Sequence, residues 1–250
     1  RYNNDFPVKV MSWAHINGSA LIVGKHTGAE DFKDLGGKQI AVPYWYSMHN
    51  IVLQMGLRAA GLKPVIKDQK APLAKDEVNL MIMPPPDMPP ALAAKKIDAF
   101  IVAEPFNAFG ELKAGGKMLR FTGDIWKNHP CCVVVMREDL IRSRPIFTQK
   151  VITALVRAQR WTMDNLSEAA WILGRNGGGY LPVSEDVLHT VFEGYAVEQY
   201  GPGASPQAIH HPDWKARRID FQPYPYPSAT RLIVKELAHT RVEGNASFLK

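Results

Sequence analysis

Cysteine is scarce in this sequence: two residues in 250, side by side at Cys131 and Cys132. A disulfide between adjacent cysteines is strained. No C-x-x-C occurs and no Cys/His spacing suits zinc, so no metal site is expected and the cysteines say little about compartment. Long apolar runs are missing as well. No window holds 18 consecutive apolar residues, which excludes an ordinary transmembrane helix. Runs of like charge are absent: 30 Lys and Arg against 24 Asp and Glu give a net +6 that is scattered along the chain. That balance fits a solvated basic surface better than a nucleic-acid stripe. There is no G-x-S-x-G elbow, no H-E-x-x-H and no Walker A motif. Gly177-Gly178-Gly179 lacks a following Lys-Ser/Thr and comes after a helix, so it reads as a loop. No nucleophile stands beside a base at a telling spacing. No repeat recurs at a fixed period. The chain opens on Arg1 with no signal-like stretch, and a mature or trimmed chain is the expectation.

What remains is ordinary in composition. Apolar residues make up 46% and charged residues 22%, close to a soluble globular average and unlike a disordered chain, a coiled coil or collagen. Two hundred and fifty residues allow one or two domains with a sizeable core. From residue 31 to 136 short apolar runs alternate with helical stretches. Lys38–Pro43, Asn79–Met83, Asp98–Ala103 and Cys131–Met136 read as strands. Ser47 caps a helix over Met48–Ala60 that Gly61 closes, Asp87 caps a helix with Pro89 and Pro90 in its first turn, and a third helix begins near Pro105. This pattern implies βαβ units and a mostly parallel sheet, hence an α/β fold. Val8–Trp13 and Ser19–Val23 read as two strands with a turn at Asn17-Gly18. After Arg137 the chain turns helical, with helices over Ile146–Asn165, Ser167–Arg175 and Ser184–Tyr195, and a last one capped by Ser228. Gly201–Pro206 and Gln222–Pro227 read as loops.

The economical organisation is two lobes: 24–137 as one, and 1–23 with 138–250 as a discontinuous other. The chain would cross near Val23 and Met136, with a hinge and cleft between the lobes. Two strands are few for the flanking lobe: either that lobe is unusually small, or strands preceding Arg1 are missing from this chain.

In open α/β sheets ligands bind at the carboxyl ends of strands, near helix N-termini. Three such ends carry unusual residues: Tyr44-Trp45-Tyr46-Ser47-Met48-His49, Pro84-Pro85-Pro86-Asp87-Met88, and Glu104-Pro105-Phe106-Asn107. From these, Tyr46, Ser47, Met48, His49, Pro86, Met88, Glu104 and Asn107 are candidate ligand contacts. Trp13, His15 and Asn17, near the first crossing, join them. A carboxylate at a buried strand end is costly unless paired, and Glu104 is read as a ligand contact over a salt bridge. His129 reads as structural. His210-His211 with Asp213 nearby lacks a spaced third metal ligand.

Several of these stretches resemble one family. Asp34–Pro43 resembles the D-L-x-G-K-x-I-A-V-P entry to the second lobe of type II periplasmic solute-binding proteins. Residues 84–107, PPPDMPPALAAKKIDAFIVAEPFN, resemble the nitrate/sulfonate/bicarbonate branch of these ABC-importer components. Residues 17–20, 126–130 and 224–228 are similar to stretches of its nitrate- and bicarbonate-binding members. The resemblance implies a two-lobed periplasmic-binding-protein-like α/β fold, capture of a small solute without catalysis or cofactor, delivery to an ABC permease, a monomer, and an extracytoplasmic location with an anchor upstream. His49 falls where nitrate-binding members place an anion-contacting histidine. Glu104 heads the E-P motif, and a bare carboxylate there would repel nitrate. It would suit bicarbonate, or a thiamine-precursor-like pyrimidine stacking on Trp45 or Tyr46. Two rival readings exist: an enzyme resembling the pyridoxal-phosphate-using pyrimidine-precursor synthases, which carry a Cys-rich motif, and the effector domain of a LysR-type regulator.

Overall fold

The computed structural model describes residues 4–193, 195–201, 203–205, 207–211 and 217–247. Pro202, Pro206 and Asp213 lie outside the described residues. The strands are β1 (Val8–Asn17), β2 (Ser19–Gly24), β3 (Gln39–Val42), β4 (Lys63–Val65), β5 (Glu77–Ile82), β6 (Ala99–Ala103), β7 (Gly116–Phe121), β8 (Pro130–Arg137) and β9 (Ile219–Asp220). The helices are α1 (Met48–Ala59), α2 (Met88–Ala93), α3 (Phe106–Lys113), α4 (Thr122–Ile125), α5 (Glu138–Ser143), α6 (Pro145–Asp164), α7 (Leu166–Leu173), α8 (Glu185–Phe192), α9 (Val197–Tyr200) and α10 (Pro227–Ala238).

The strands form two sheets, one of six strands in the order β4-β5-β3-β6-β2-β7 and one of three in the order β8-β1-β9. In the larger sheet β3 pairs parallel with β5 and β6, and β4 parallel with β5. β2 runs antiparallel to both neighbours, β6 and β7. Every residue of β2 is buried, because both sheet faces are covered. Alternate side chains split between them: Leu21 and Val23 join Ile40, Leu53, Leu57 and Leu80 beside α1, while Ala20 and Ile22 join Met88, Phe100 and Val102 beside α2.

Strand pairing moves the expected crossings. Residues 19–23, assigned from sequence to the flanking lobe, lie in the six-stranded sheet, and β8, assigned to the 24–137 lobe, pairs along β1 from Val8–Arg137 to Ile16–Pro130. The chain passes between sheets at Asn17-Gly18 and again at His129-Pro130. Asn17-Gly18 is therefore a crossover between sheets, and its two flanking strands never pair. Both residues have left-handed backbone, φ 52° and 69°, and a Cβ on Gly18 would stand 2.8 Å from Ile219 and 2.9 Å from His15 Nδ1. Only glycine fits there.

The helices beyond residue 137 also distribute differently from expectation. α6 stays with the small sheet, where Gln159 Nε2 donates to the carbonyls of Trp13 (2.9 Å) and Ala14 (2.8 Å). α7 and α8 pack on α3 of the larger sheet through Ala108, Ala170, Val187, Leu188 and Val191. α10 reaches α1, with Arg58 and Glu236 paired at 2.7 Å and the Arg241 carbonyl accepting from Gln54 Nε2 at 2.8 Å. The small sheet was a poor packing partner: it leaves Val10, Val133 and Val135 exposed, whereas α3 offers an apolar flank. β7 has no counterpart in the sequence reading, because Lys117 and Arg120 interrupt its apolar run. Both cations are ion-paired, Lys117 to Glu30 at 2.6 Å and Arg120 to Asp31 at 2.7 Å.

Ser47 caps α1 as expected, its hydroxyl accepting from the Asn50 amide at 3.2 Å. Ser47→Ala is expected to cost about 1 kcal/mol of stability, measured by urea unfolding; no change would show that the cap bond is not formed in solution. Asp87 stands at the N-cap of α2 but makes no side-chain cap bond, and α10 starts at Pro227 with Tyr226, not Ser228, at its cap.

Candidate functional site

Parallel neighbours deliver their carboxyl ends to the same sheet edge. The order β5-β3-β6 therefore brings the loops after Ile82, Val42 and Ala103 to one side, and the pairing of Ser19 with Ala103 places the start of antiparallel β2 there too. Both crossovers open onto this edge. A compact polar cluster occupies it. His49, in the first turn of α1, has Nε2 2.9 Å from Ser19 Oγ and 3.6 Å from Cys131 Sγ, and Ser19 Oγ lies 3.2 Å from that sulfur. Behind it His129 Nε2 meets Thr122 Oγ1 at 2.8 Å, and that hydroxyl donates to the Ser19 carbonyl at 2.9 Å.

The histidines here are neutral. Burial pushes the His49 pKa down to about 3, helped by the nearby His129 and His15. Burial also brings His129 down to about 4, partly offset by its contact with the Pro130 carbonyl. Of the two thiols, Cys131 is pushed up by its contact with Cys132 and by burial, while Cys132 is pulled down by Cys131 and by the His15 ring. The cluster thus offers neutral donors, sulfur atoms and the positive end of the α1 dipole, with no fixed carboxylate in direct contact with His49 or Ser19 among the described residues.

The sequence-expected residues divide. His49 lies in the cluster, and Ser47 and half-buried Met48 lead into it. His15 lies opposite Cys132 across the β1–β8 ladder. Asn17 holds the crossover, its Oδ1 accepting from the Asn128 amide at 2.9 Å. Trp13 is buried against Tyr226 with ring centroids 5.5 Å apart. Tyr46 donates its hydroxyl to the Asn245 carbonyl at 2.9 Å and packs on Tyr44. Pro86 is exposed and Met88 is wholly inside the core, where it fills space beside Phe100. Asn107 is buried, with Nδ2 bonded to the Val102 carbonyl. Glu104 is the clearest correction. Its Oε1 accepts from Arg218 Nε and its Oε2 from the Ala108 amide, with Glu111 on the other arm of Arg218 at 3.2 Å. Pairing solves the cost of burying the carboxylate, so Glu104 makes an ion pair where a ligand contact was expected. Trp45 is in the core and has no free face for a stacking ligand.

Ser19, Cys131 and Cys132 were not expected as site residues. They sit far from His49 in sequence, and no spacing marks them; the two crossovers bring them together. His210 and His211 surround Asp124 instead of forming a metal pair, their amides donating to its carboxylate at 2.9 and 3.0 Å. A cavity of about 750 Å³ opens at the other end of β2. At about 3.3 Å per residue, Gly24 is about 16 Å from Ser19. Of the charged residues on its rim, Lys117 pairs with Glu30 and Glu111 with Arg218, and Lys25 completes the set.

Residues 3–174 match the profile described as NMT1-like family. The chain belongs to the NMT1-like family. A nitrate/nitrite binding protein NrtA of Nostoc sp. is 27% identical over 179 residues, which is 64% of this chain and 37% of that protein. A nitrate import ATP-binding protein NrtC of Synechocystis sp. is 30% identical over 160 residues, 59% of this chain and 22% of that protein. The solved periplasmic nitrate-binding protein NrtA of Synechocystis superposes with a TM-score of 0.74 at 20% identity, over 92% of this chain and 60% of that one. This chain spans less than two thirds of each of these relatives. The fold is that of the periplasmic binding proteins of ABC importers. No helix among the described residues is long and apolar enough to cross a membrane.

Proposed function

We propose that this chain is the solute-capturing part of an ABC importer, a non-enzymatic binding protein that holds a small oxyanion where its two sheets meet. The observation that carries this reading is the Ser19–His49–Cys131 cluster, at the N-terminus of α1 and between the two crossovers. Helix N-termini favour anions through free amides and the dipole, and Ser19 and His49 add neutral donors. Membership of the NMT1-like family supports the reading, as do relatives named for nitrate binding and nitrate import. Because the charge of Glu104 is met by Arg218, the objection that it would repel nitrate falls away. A stacking pyrimidine loses Trp45 as a platform, since that ring is buried. The partners would be a membrane permease and its ATPase, the location extracytoplasmic, and the working state a monomer. The two sheets, joined by two crossovers, would act as lobes that close on the solute, so that ligand contact with both favours the closed state.

Calorimetric titration with nitrate, bicarbonate and an alkanesulfonate tests this. One of the three is expected to bind, and His49→Ala should weaken that affinity by about 10- to 100-fold, the worth of a hydrogen bond to a charged group. Unaltered affinity in folded His49→Ala protein would remove the residue from the site. Because His49 is neutral well above pH 4, it should impose no pH dependence on binding between about pH 6 and 8. Small-angle scattering that shows no compaction with a tight-binding solute would count against lobe closure.

A further inference from the structure

The β1–β8 ladder carries an irregularity with chemical content. His15 pairs with Cys132, yet the next pair is Ile16 with Pro130, and the register shifts between them. Cys131 is thus the extra residue of a bulge. Successive side chains of a regular strand point to opposite faces, which would part the two sulfurs. A bulge re-aims one of them, and here Cys131 Sγ and Cys132 Sγ come within 4.0 Å. A ring nitrogen of His15 completes a set of three donor atoms that all lie within 4.8 Å of one another. We propose that His15, Cys131 and Cys132 form a binding site for a thiophilic metal ion of the zinc type, with His49 beside the fourth position.

The dimensions suit the chemistry. Tetrahedral zinc with sulfur at about 2.3 Å and nitrogen at about 2.0 Å needs sulfur–sulfur edges of about 3.8 Å and sulfur–nitrogen edges of about 3.5 Å. The sulfurs stand at 4.0 Å and the His15 nitrogen within 4.8 Å of both, so the three close on an ion by a short inward shift, while His49 Nε2 lies 3.6 Å from Cys131 Sγ. His15 Nδ1 is buried without a hydrogen-bond partner, so no protein group at that nitrogen holds the ring in one tautomer. Cys132 is exposed and Cys131 half-buried, which leaves a path for an ion. Two sulfurs and imidazole select zinc or copper(I) over magnesium or calcium, whose preferred ligands are oxygens. On binding, each thiol gives its proton to solvent, two per ion, and no other bond changes. The site goes beyond the solute-binding reading and does not depend on which solute is captured.

The test uses the reduced, metal-stripped protein titrated with Cd²⁺, and then with Zn²⁺ in competition. One equivalent of Cd²⁺ should raise the sulfur-to-metal charge-transfer absorption, and Zn²⁺ should displace it. Cys132→Ser and His15→Gln should each weaken Cd²⁺ binding by about tenfold or more. The Cys131→Ser/Cys132→Ser double variant should abolish the band. A second readout needs no variant: Zn²⁺ should protect both thiols from alkylation, scored by mass spectrometry, while Mg²⁺ should not. Absence of the band together with unprotected thiols in the unmodified protein would overturn the site. So would unchanged Cd²⁺ affinity in folded His15→Gln protein. The Cd²⁺ band retained in His49→Ala protein supports the three-ligand site whether or not solute binding is lost, because His49 is not one of the three ligands although Cys131 is shared with the solute cluster.

Discussion

Replacing Arg218 by methionine is expected to destabilise the fold by about 3–5 kcal/mol, because Glu104 and Glu111 lose the one cation that pairs with them among the described residues. Arg218 is 1% exposed. Its Nε donates to Glu104, its Nη1 lies 3.2 Å from Glu111 Oε2, and its guanidinium carbon sits 5.3 Å from the centre of the Phe121 ring. Glu111 also accepts the Tyr200 hydroxyl. This group joins the segment before β9 to β6, α3 and α9, so its loss should loosen the packing around the Asn17-Gly18 crossover, where the Gly18 amide donates to the Arg218 carbonyl. Urea unfolding measures the effect. Adding Glu104→Gln and Glu111→Gln to Arg218→Met should recover part of the loss, since neutral amides remove the buried charges. A loss below about 1 kcal/mol for the single variant would mean that water reaches the carboxylates and that the pair is not buried in solution.

Acid should unfold the protein through His49 and His129. Both are neutral in the fold, with pKa values near 3 and 4 against an ordinary value of 6.5. A depressed histidine means that the unfolded chain binds the proton first, so stability is full above about pH 6.5 and falls as the pH drops toward the folded values. Each group contributes about 1.4 kcal/mol per pH unit over that window. Between pH 6.5 and 4.5 the pair should remove about 5 kcal/mol, a large part of a typical domain's stability. Denaturant midpoints measured across this range check it. His129→Gln, which can keep a bond to Thr122, should flatten the slope by about half. An unchanged slope would mean that His129 is solvated and titrates normally.

The larger sheet was legible from the chain because β3, β5 and β6 are short apolar runs followed by helix signals, and parallel strands read that way. The placement of β2 was not. Its residues SALIVG carry no mark of which sheet they join, and antiparallel insertion between β6 and β7 depends on the left-handed crossover at Asn17-Gly18. Ser47 was legible because capping is local. Glu104 was misread because its partner lies 114 positions away, and nothing near either residue announces the other. The cysteines were dismissed for want of spacing, although their partner His15 stands across a strand ladder and the bulge that turns Cys131 toward it leaves no sequence signature.

The amino-acid sequence alone determined the α/β class, the three strand ends that share one edge, the capped start of α1 and the family. These rest on apolar period, caps and contiguous motifs, all of which act within a few residues. Tertiary structure alone decided the two crossing points, the pairing of Glu104 with Arg218, and the meeting of Ser19, His49, Cys131 and His15. Those depend on which strands exchange hydrogen bonds and which buried charges find partners, and such choices are made only when distant segments compete for the same core.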